Sequence, residues 1–351
     1  MLDEKTILVT GGTGSFGQKF VETVLKRYRP RKIIIYSRDE YKQYQMLQKF
    51  SKFEKTLRFF IGDIRDRQRL CRALEGVDYV IHAAAFKQVP AAEYNPFEAV
   101  KTNILGTQNL VEAAIDKGVR KVVALSTDKA VNPINLYGAT KLAMEKIVLA
   151  GENYSGQKDI TFCVVRYGNV LGSRGSVLPY FLDLKRKGCK VFPITDSRMT
   201  RFWITLDEAV DLVLFALENA VGGEIFVPKI PSMKIVDLAR AISPECEFKF
   251  IGIRPGEKLH ETLISEDESH TVHDIGEYYV ILPQFLFRGK CVHEVYASYP
   301  KVTEGFSYRS DTNDWWLSVE DLRSILIAHY GEEVCSPTVV NLLTMKTSLA
   351  S

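Results

Sequence analysis

Side chains that can exchange protons are concentrated in one short segment, STDKAVNPINLYGATK. A hydroxyl, a carboxylate and an ammonium stand side by side at Thr127, Asp128 and Lys129, and Tyr137 follows a short loop later. Tyr137 and Lys141 are spaced i and i+4, so they share one face of a helix. A neighbouring ammonium lowers the pKa of a phenol, which makes Tyr137 a candidate base near neutral pH.

A glycine-rich loop near the start of the chain predicts a phosphate-binding turn. The apolar run TILVT leads directly into this loop, and a helical pattern follows. Glycines in this position permit a tight turn and let backbone N–H groups approach a pyrophosphate at the helix N-terminus. A glycine cluster alone is a weak signal, but its place between strand and helix makes it strong. The expected dinucleotide contacts are Gly11, Thr13, Gly14, Ser15, Phe16 and Gly17.

The residues that end the second predicted strand bear on the choice between NAD and NADP. An acidic side chain at this position binds the ribose of NAD. Here a hydroxyl and a guanidinium, Ser37 and Arg38, suit a 2′-phosphate, which favours NADP. Asp39 keeps NAD open if its carboxylate faces the ribose, and Lys42 either adds charge or is a solvated helix residue.

Further cofactor contacts are expected where the third and fourth strands end. Asp63 can accept a hydrogen bond from an adenine amino group, with Ile64 beside it. The small side chain of Ala84 lets a dinucleotide pass close, and Lys87 is a candidate near the sugar and the nicotinamide. We expect His82 to be a packed, hydrogen-bonded histidine rather than a catalytic one.

Alternating strands and helices must position these loops. Strands that are apolar on both faces and separated by helices indicate an α/β fold with a doubly wound, parallel, Rossmann-type sheet and a smaller, interleaved substrate-binding lobe. The predicted strands cover residues 5–10, 32–38, 57–63, 77–85, 121–127 and 162–168, and a predicted helix covers 97–117. The predicted domains are an NADP-binding domain, 1–168 with a returning segment at 205–230, a substrate lobe, 169–204 and 231–335, and a tail, 336–351.

Composition excludes several classes of function. The net charge of +3 over 351 residues is too small to favour nucleic-acid binding, which requires a concentrated basic patch. The 6 cysteines form no CxxC pair, so reduced thiols are expected rather than disulfides or a metal site. The first apolar run is too short for a signal peptide, and no stretch approaches a membrane span. We therefore expect a cytoplasmic protein without membrane or nucleic-acid partners.

Several motifs resemble the extended short-chain dehydrogenase/reductase family, namely the glycine loop, NILGTQN, STDK and YGATK. Within this family the chain closely resembles the inverting UDP-N-acetylglucosamine 4,6-dehydratases, lyases that begin pseudaminic acid synthesis in bacteria. The motifs that carry this closer resemblance are SRDEYKQ, AAAFKQVPAAEYNP, STDKAVNPINLYGATK, RYGNVLGSRGSVLP, TRFWITLDEA, EIFVPKIPSMK and IRPGEKLHE.

The resemblance implies a redox-neutral cycle. Tyr137, with Lys141 holding the ribose, removes the carbon-4 hydroxyl proton while hydride passes to NADP, and Thr127 orients that hydroxyl. Asp128 protonates the departing carbon-6 hydroxyl if burial favours its acid form, and Lys129 takes the carbon-5 proton. Ordinary sugar-nucleotide 4,6-dehydratases carry glutamate at the position of Lys129. Lysine fits the inverting subfamily, in which carbon 5 is reprotonated on the opposite face.

The resemblance also implies substrate contacts and partners. Asn169 contacts the sugar–phosphate linkage, Arg174 can bind the diphosphate, and Lys87 lies near the sugar. In the RPGE motif, Arg254 meets a phosphate and Glu257 the uridine ribose hydroxyls. The implied partners are UDP-N-acetylglucosamine, a tightly bound NADP and further copies of the chain, as in a hexamer.

Four alternatives remain open. A capsular-type 4,6-dehydratase/5-epimerase carries methionine where this chain has Tyr137. A UDP-sugar 4-epimerase needs no elimination acid and base, so the pair formed by Asp128 and Lys129 speaks against it. A non-catalytic NADP-binding scaffold has no use for Tyr137 and Lys141, and a nucleic-acid role has only the pI of 8.4 in its favour. Whether the end product decorates flagellin is also left open.

Overall fold

The computed structural model describes residues 1–173, 175–284 and 292–335, which form two compact units. The first unit comprises Met1–Tyr167, Thr205–Lys229 and Thr262–Tyr308, and the second comprises Gly168–Ile204, Ile230–Glu261 and the described residues from Arg309 onward. Residues 262–308 therefore belong to the first unit, whereas the sequence had placed them in the substrate lobe. The predicted tail, 336–351, lies outside the described residues.

The described strands are β1 (Thr6–Thr10), β2 (Lys32–Ser37), β3 (Leu57–Ile61), β4 (Tyr79–His82), β5 (Lys121–Thr127), β6 (Thr161–Tyr167), β7 (Asn169–Val170), β8 (Val191–Ile194), β9 (Thr200–Ile204), β10 (Ile225–Pro228), β11 (Ser232–Lys234), β12 (Glu247–Phe250), β13 (Thr262–Ile264), β14 (Val272–Asp274), β15 (Tyr278–Ile281) and β16 (Tyr308–Arg309). The described α-helices are α1 (Ser15–Arg27), α2 (Glu40–Lys49), α3 (Arg67–Ala73), α4 (Val89–Tyr94), α5 (Pro96–Ala99), α6 (Gly106–Lys117), α7 (Leu136–Tyr154), α8 (Val177–Arg186), α9 (Leu206–Asn219), α10 (Ile235–Ile242), α11 (Val292–Tyr296) and α12 (Val319–Tyr330). Short 3-10 turns cover Ser51–Phe53, Asp128–Ala130, Glu266–Thr271 and Glu332–Val334. None of these helices is long and apolar enough to cross a membrane.

The first unit is built on a large central sheet. Over the described residues its strand order is β14-β15-β10-β6-β5-β4-β1-β2-β3. Strands β1 to β6 and β10 pair in parallel, and β15 and β14 continue the sheet antiparallel to β10. The predicted doubly wound sheet is thus confirmed, and the six predicted strands correspond to β1 to β6. Pairing of β14 and β15 with this sheet explains why residues 262–308 join the first unit.

The predicted helix at 97–117 is also confirmed, with one irregularity. Helix α5, a π-helical turn at Val100–Leu105 and helix α6 follow one another without a break. The run ends at Gly118, whose φ of 68° places it in the left-handed region that favours glycine at a helix C-terminus. Single π-turns within α-helices occur frequently at functional sites.

The second unit has its own apolar core. Strands β7 and β9 pair in parallel, β11 pairs antiparallel to β9, and β8 pairs with β12. Helices α8, α10 and α12 contribute Phe181, Leu238 and Leu326 to one buried cluster, together with Phe192 of β8. Trp203 lies in the same cluster at 3% exposure, as expected of a packing residue.

His82 ties three elements of the first unit together. Its Nδ1 lies 2.8 Å from Oγ1 of Thr10 on β1, and its Nε2 lies 3.1 Å from Oγ1 of Thr107 on α6. Thr107 donates its own proton to the carbonyl of Asn103 at 2.7 Å, so it accepts from His82. His82 is therefore a neutral ring with both nitrogens satisfied. Burial, with a smaller effect of the Lys141 ammonium, lowers its pKa to about 3.

This ring predicts a specific acid sensitivity. The pKa of His82 in the folded protein lies below its ordinary value of 6.5, so its contribution to the free energy of unfolding is complete above that pH and decreases as the pH falls toward the folded-state pKa. In chemical unfolding below pH 6.5, the wild type loses up to about 1.4 kcal/mol per pH unit through this residue.

We expect His82→Asn to be less stable at pH 7 but to lose less stability on acidification. His329→Asn, at an exposed position of α12, is the matched substitution. An acid dependence in His82→Asn as steep as that of the wild type would contradict the assignment.

Candidate active site

The glycine turn joins β1 to α1 and has the form that a pyrophosphate requires. Gly11 has φ of 64°, and a Cβ at this position would lie 2.9 Å from the backbone of Ala84. A Cβ on Gly17 would lie 2.5 Å from the backbone of Gly12, so the helix can start close to the turn only with glycine there. Gly14 is the N-cap of α1, without a side-chain cap or an acid in the first turn. The N-terminal N–H groups of α1 are therefore suited to an anion.

The predicted selectivity residues follow β2. Ser37 is buried, and Gln43 of α2 donates a hydrogen bond to its Oγ at 3.1 Å. Arg38 is 62% exposed. Asp39 is the N-cap of α2, because its Oδ1 accepts from the backbone N–H of Lys42 at 2.9 Å and its Oδ2 pairs with the Lys42 ammonium. The Asp39 carboxylate thus serves the helix start, and Gln43 is a contributor that the sequence did not indicate.

Asp63, expected to meet an adenine, has an arginine partner that the sequence analysis missed. Arg65 donates to both carboxylate oxygens, with Nη2 at 2.8 Å from Oδ2, and its backbone N–H lies 2.9 Å from Oδ1. Burial raises the pKa of Asp63, but the hydrogen bonds from Arg65 and the nearby Arg38 outweigh it and hold the pKa below its ordinary value. The adjacent Ile64 is 5% exposed.

The proton-transfer residues predicted from the sequence come together at the end of β5. Oγ1 of Thr127 donates to Oδ1 of Asp128 at 2.9 Å, and Nζ of Lys129 lies 3.0 Å from the same oxygen. Asp128 is fully buried, whereas the Lys129 side chain is 24% exposed. The other carboxylate oxygen, Oδ2, is buried without a hydrogen-bond partner. Buried polar atoms normally have a hydrogen-bond partner, so this unpaired oxygen is a candidate acceptor for a ligand.

Tyr137 reaches this cluster because of the glycine that follows it. A Cβ on Gly138 would lie 2.1 Å from the carbonyl oxygen of Lys129, so only glycine lets α7 begin against the turn at Asp128–Ala130. Asn135 caps the helix, accepting from the N–H of Gly138 at 2.7 Å. Sequence analysis missed Gly138, although its place directly after the tyrosine was a visible signal.

The electrostatic setting of Tyr137 includes a second lysine. Burial raises the pKa of Tyr137 to about 12; the Lys129 ammonium and a hydrogen bond with Thr127 act to lower it, and the Asp128 carboxylate acts to raise it. Lys141 instead donates to the carbonyl of Leu125 at 2.6 Å, and burial lowers its own pKa to about 8. The Lys129 ammonium is thus a cation that acts on the pKa of Tyr137 and that the sequence did not indicate, and the effect expected of Lys141 stays a prediction.

Asn103, in the π-helical turn, fixes the neighbouring loop. Its Oδ1 accepts from the backbone N–H of Phe86 at 2.7 Å, and its Nδ2 donates to the carbonyl of Phe86 at 2.9 Å. The same Nδ2 donates to Thr140 at 3.0 Å, and Thr140 donates to the carbonyl of Tyr137. Asn103 therefore links the loop that carries Lys87, which is exposed, to the helix that carries Tyr137.

The other predicted substrate residues belong to the second unit. Asn169 is half-buried at the start of β7, and Arg174 lies outside the described residues. Arg254 and Glu257 form a tight turn, in which the N–H of Glu257 donates to the carbonyl of Arg254 at 3.0 Å. Oε2 of Glu257 is buried without a hydrogen-bond partner, so it is available to a hydroxyl donor.

A parallel doubly wound sheet, a glycine turn before the first helix and a Tyr–Lys pair after the fifth strand define a Rossmann-type short-chain dehydrogenase/reductase. The chain belongs to the family of polysaccharide biosynthesis proteins, which matches residues 7–283. It is 53% identical over 330 residues to UDP-N-acetylglucosamine 4,6-dehydratase (inverting) from Campylobacter jejuni subsp. jejuni serotype O:2, covering 93% of this chain and 98% of that protein.

Two of the solved structures that are similar to the chain are Pen and DesIV. The X-ray structure of Pen from Bacillus thuringiensis has a TM-score of 0.84 and 38% identity, covering 94% of this chain and 99% of that chain. The structure of DesIV, a dTDP-glucose 4,6-dehydratase from Streptomyces venezuelae with NAD and TYD bound, has a TM-score of 0.66 and 25% identity, covering 72% of this chain and 86% of that chain.

Gly138→Ala tests how the cluster is held. Because the added methyl group meets the backbone of Lys129, we expect a loss of about 3 kcal/mol or more in the free energy of unfolding. Gly106→Ala is the matched helical control, since there the methyl group would lie 2.9 Å from the Ile64 side chain and 3.3 Å from the nearest backbone atom, so a smaller loss is expected. Equal stability of the two variants in urea unfolding would show that the close contact at Gly138 is not essential.

Proposed function

We propose that this protein is a UDP-N-acetylglucosamine 4,6-dehydratase that inverts carbon 5 of the sugar, and thus a hydro-lyase. The observation that carries the proposal is the pair of buried Asp128 and partly buried Lys129 beside Tyr137, because elimination of water needs an acid and a base in one place. The near full-length identity to a relative of this name supports it.

The geometry of the pair suits elimination. Nζ of Lys129 and Oδ1 of Asp128 are 3.0 Å apart, so transfer of one proton along this hydrogen bond yields a neutral amine and a carboxylic acid together. The amine takes the proton from carbon 5, and the acid protonates the oxygen leaving carbon 6 as water. Lys129 then carries a proton and Asp128 is ionised, as at the start. The acid proton is then on Oδ1, and the unpartnered Oδ2 of Asp128 is free to accept a hydrogen bond from a substrate hydroxyl.

Tyr137 and Thr127 act on the carbon-4 hydroxyl. A ketone at carbon 4 is needed to acidify carbon 5, and a bound nicotinamide cofactor supplies that oxidation and the later reduction at carbon 6. Tyr137 takes the hydroxyl proton, and the Thr127 hydroxyl, which acts on the pKa of the phenol, orients the oxygen. The Lys129 ammonium acts to lower the pKa of Tyr137, so the elimination pair also assists the base.

The cofactor proposed is NADP, kept bound because it is regenerated in each cycle. The glycine turn with Gly11, Gly14 and Gly17 would hold the pyrophosphate. Arg38 is the exposed cation next to buried Ser37, and Asp39 is engaged as a helix cap rather than turned to a ribose. The related structure of DesIV contains NAD, which supports a nicotinamide cofactor but not the extra phosphate.

The remaining roles stay predictions. Asn169, Arg254 and Glu257 are proposed to bind the UDP part of the substrate, and the unpartnered Oε2 of Glu257 is suited to the ribose hydroxyls. A place at the start of pseudaminic acid synthesis, a cytoplasmic location and assembly into a homo-oligomer are consistent with this activity.

Arg38→Ala tests the choice of cofactor. Loss of the guanidinium should weaken NADPH binding by about tenfold or more, as expected for a charge-assisted contact with a phosphate, and should leave NADH binding little changed. Fluorescence titration of protein freed of nucleotide gives both affinities. Arg29→Ala, at another exposed position, is the control for the loss of one positive surface charge. An equal loss for both nucleotides would contradict recognition of the 2′-phosphate.

Lys129→Ala tests the reaction. Proton NMR of the wild type with UDP-N-acetylglucosamine in D₂O should show a new carbon-6 methyl group and an inverted, deuterated carbon 5. The variant should bind NADPH normally but lose at least about 100-fold in dehydration, the usual contribution of a positioned acid or base. Lys146→Ala, at an exposed position of α7, serves as the control.

Other outcomes separate the alternatives. Full turnover in Lys129→Ala would remove this residue from the mechanism. A methyl group with retained configuration at carbon 5 would keep the dehydratase but not the inversion. Epimerised substrate without a methyl group would favour a 4-epimerase, and unchanged substrate would favour a non-catalytic protein.

A further inference from the structure

Glu145 is a fully buried carboxylate one helical turn after Lys141. The hydroxyl of Ser126 donates to its Oε1 at 2.5 Å, and Lys141 donates to the carbonyl of Leu125, the residue before Ser126. Two successive residues at the end of β5, Leu125 and Ser126, therefore hold Lys141 and Glu145 of α7. No step of the proposed reaction uses Glu145.

Arg166 on β6 fixes the Glu145 carboxylate from the opposite side. Its Nη2 donates to Oε2 at 2.8 Å and its Nε donates to Oε1 at 3.1 Å. Arg166 lies in register with Ser126 in the parallel pair of β5 and β6, so the strand pairing sets the position of both donors. With a hydroxyl and a bidentate guanidinium on it, the Glu145 carboxylate has one orientation.

Glu268 completes the network from the segment that joins the first unit late in the chain. Nη1 and Nη2 of Arg166 donate to its two oxygens at 3.1 Å and 3.0 Å, and Nη1 also donates to the carbonyl of Leu263. Burial acts to raise the pKa of Glu268, but Arg166 outweighs it and holds the pKa below its ordinary value. Arg166 remains charged, and the carboxylates of Glu145 and Glu268 therefore both pair with its guanidinium.

We propose that Glu145, held by Ser126 and Arg166, is a positioning residue that keeps Lys141 protonated and directed at the end of β5. The inference rests on the proposed function, in which Lys141 acts as an ammonium that holds the cofactor ribose. Burial alone favours the neutral form of a lysine. The Glu145 carboxylate acts in the opposite direction and favours the ammonium form of Lys141.

The surrounding charges support this assignment. Glu145 on α7 and His82 on β4 are the titratable groups that interact electrostatically with Lys141 among the described residues. His82 is neutral, so it cannot replace the carboxylate. Asp128 and Lys129, on the turn after β5, act on Tyr137 instead. Removal of the Glu145 charge therefore has a defined direction: Lys141 loses its proton at a lower pH.

The experiment compares the holoenzymes of the wild type, Glu145→Gln, Glu145→Asp and Glu268→Gln. The alkaline limit of kcat should move down by about one pH unit in Glu145→Gln, the size expected for loss of a close opposite charge, and by less in Glu145→Asp. Glu268→Gln should be less stable, because it removes a partner of Arg166, but should keep the wild-type alkaline limit.

A measurement without turnover separates this inference from the proposed function. The Lys141 side chain is titrated by NMR in 13C-lysine-labelled protein, with Lys141→Arg to assign its signal, and the same downward shift is expected. If Glu145→Gln does not fold, the smaller shift in Glu145→Asp decides. An unchanged titration and alkaline limit in the folded variants overturns the role of Glu145. A wild type that titrates as expected but does not dehydrate UDP-N-acetylglucosamine contradicts the proposed function alone.

Discussion

The carbonyl oxygen of Lys129 occupies the space that a side chain at position 138 would need. This contact lets α7 start directly against the turn at the end of β5, and the Asn135 cap sets where the helix begins. A hydroxyl, a carboxyl group, an amine and a phenol then share one small volume. If the helix began a residue later or an ångström further away, the phenol would not reach the Thr127 hydroxyl. The candidate chemistry thus depends on a backbone contact that only glycine permits.

Burial shifts the pKa values of the two titratable groups that α7 brings to the site, Tyr137 and Lys141, in opposite directions. It raises the pKa of Tyr137 and lowers the pKa of Lys141, so each is driven toward its neutral form. A charged partner opposes burial in each case: the Lys129 ammonium for the phenol and the Glu145 carboxylate for the amine. Arg166 holds Glu145, because an isolated buried carboxylate would otherwise take up a proton. The Glu145–Arg166 network and the Lys129 ammonium therefore have the same physical effect: each opposes the tendency of burial to neutralise a group on α7.

The sequence predicted what local pattern encodes. Apolar runs gave the six parallel strands, the glycine turn marked the start of α1, and the i, i+4 spacing placed Tyr137 and Lys141 on one helix. Contacts between distant residues were not predictable in this way: Arg166 meets Glu268 across 102 positions, and β14 and β15 join the sheet after the chain has passed through the second unit. The action of Lys129 on Tyr137 was not predictable for the same reason, since the two residues are not at helical spacing in the sequence but come together in the fold.

The lysine at position 129 changes what its carboxylate neighbour can do. A glutamate there would place a second acid beside Asp128. Two carboxyl groups in contact share one proton, and neither of them can become a cation. Lysine forms an ion pair at 3.0 Å whose neutral form is one proton transfer away. In the proposed reaction, that neutral form contains the base for carbon 5 and the acid for carbon 6 at once, and elimination returns the pair to its charged state. The same ammonium acts on Tyr137. In the proposed reaction it favours the phenolate while it is charged, during oxidation, and after it has given its proton to Asp128 the neutral amine is the base for elimination. One side chain can therefore serve two successive steps because its proton moves by a single hydrogen bond.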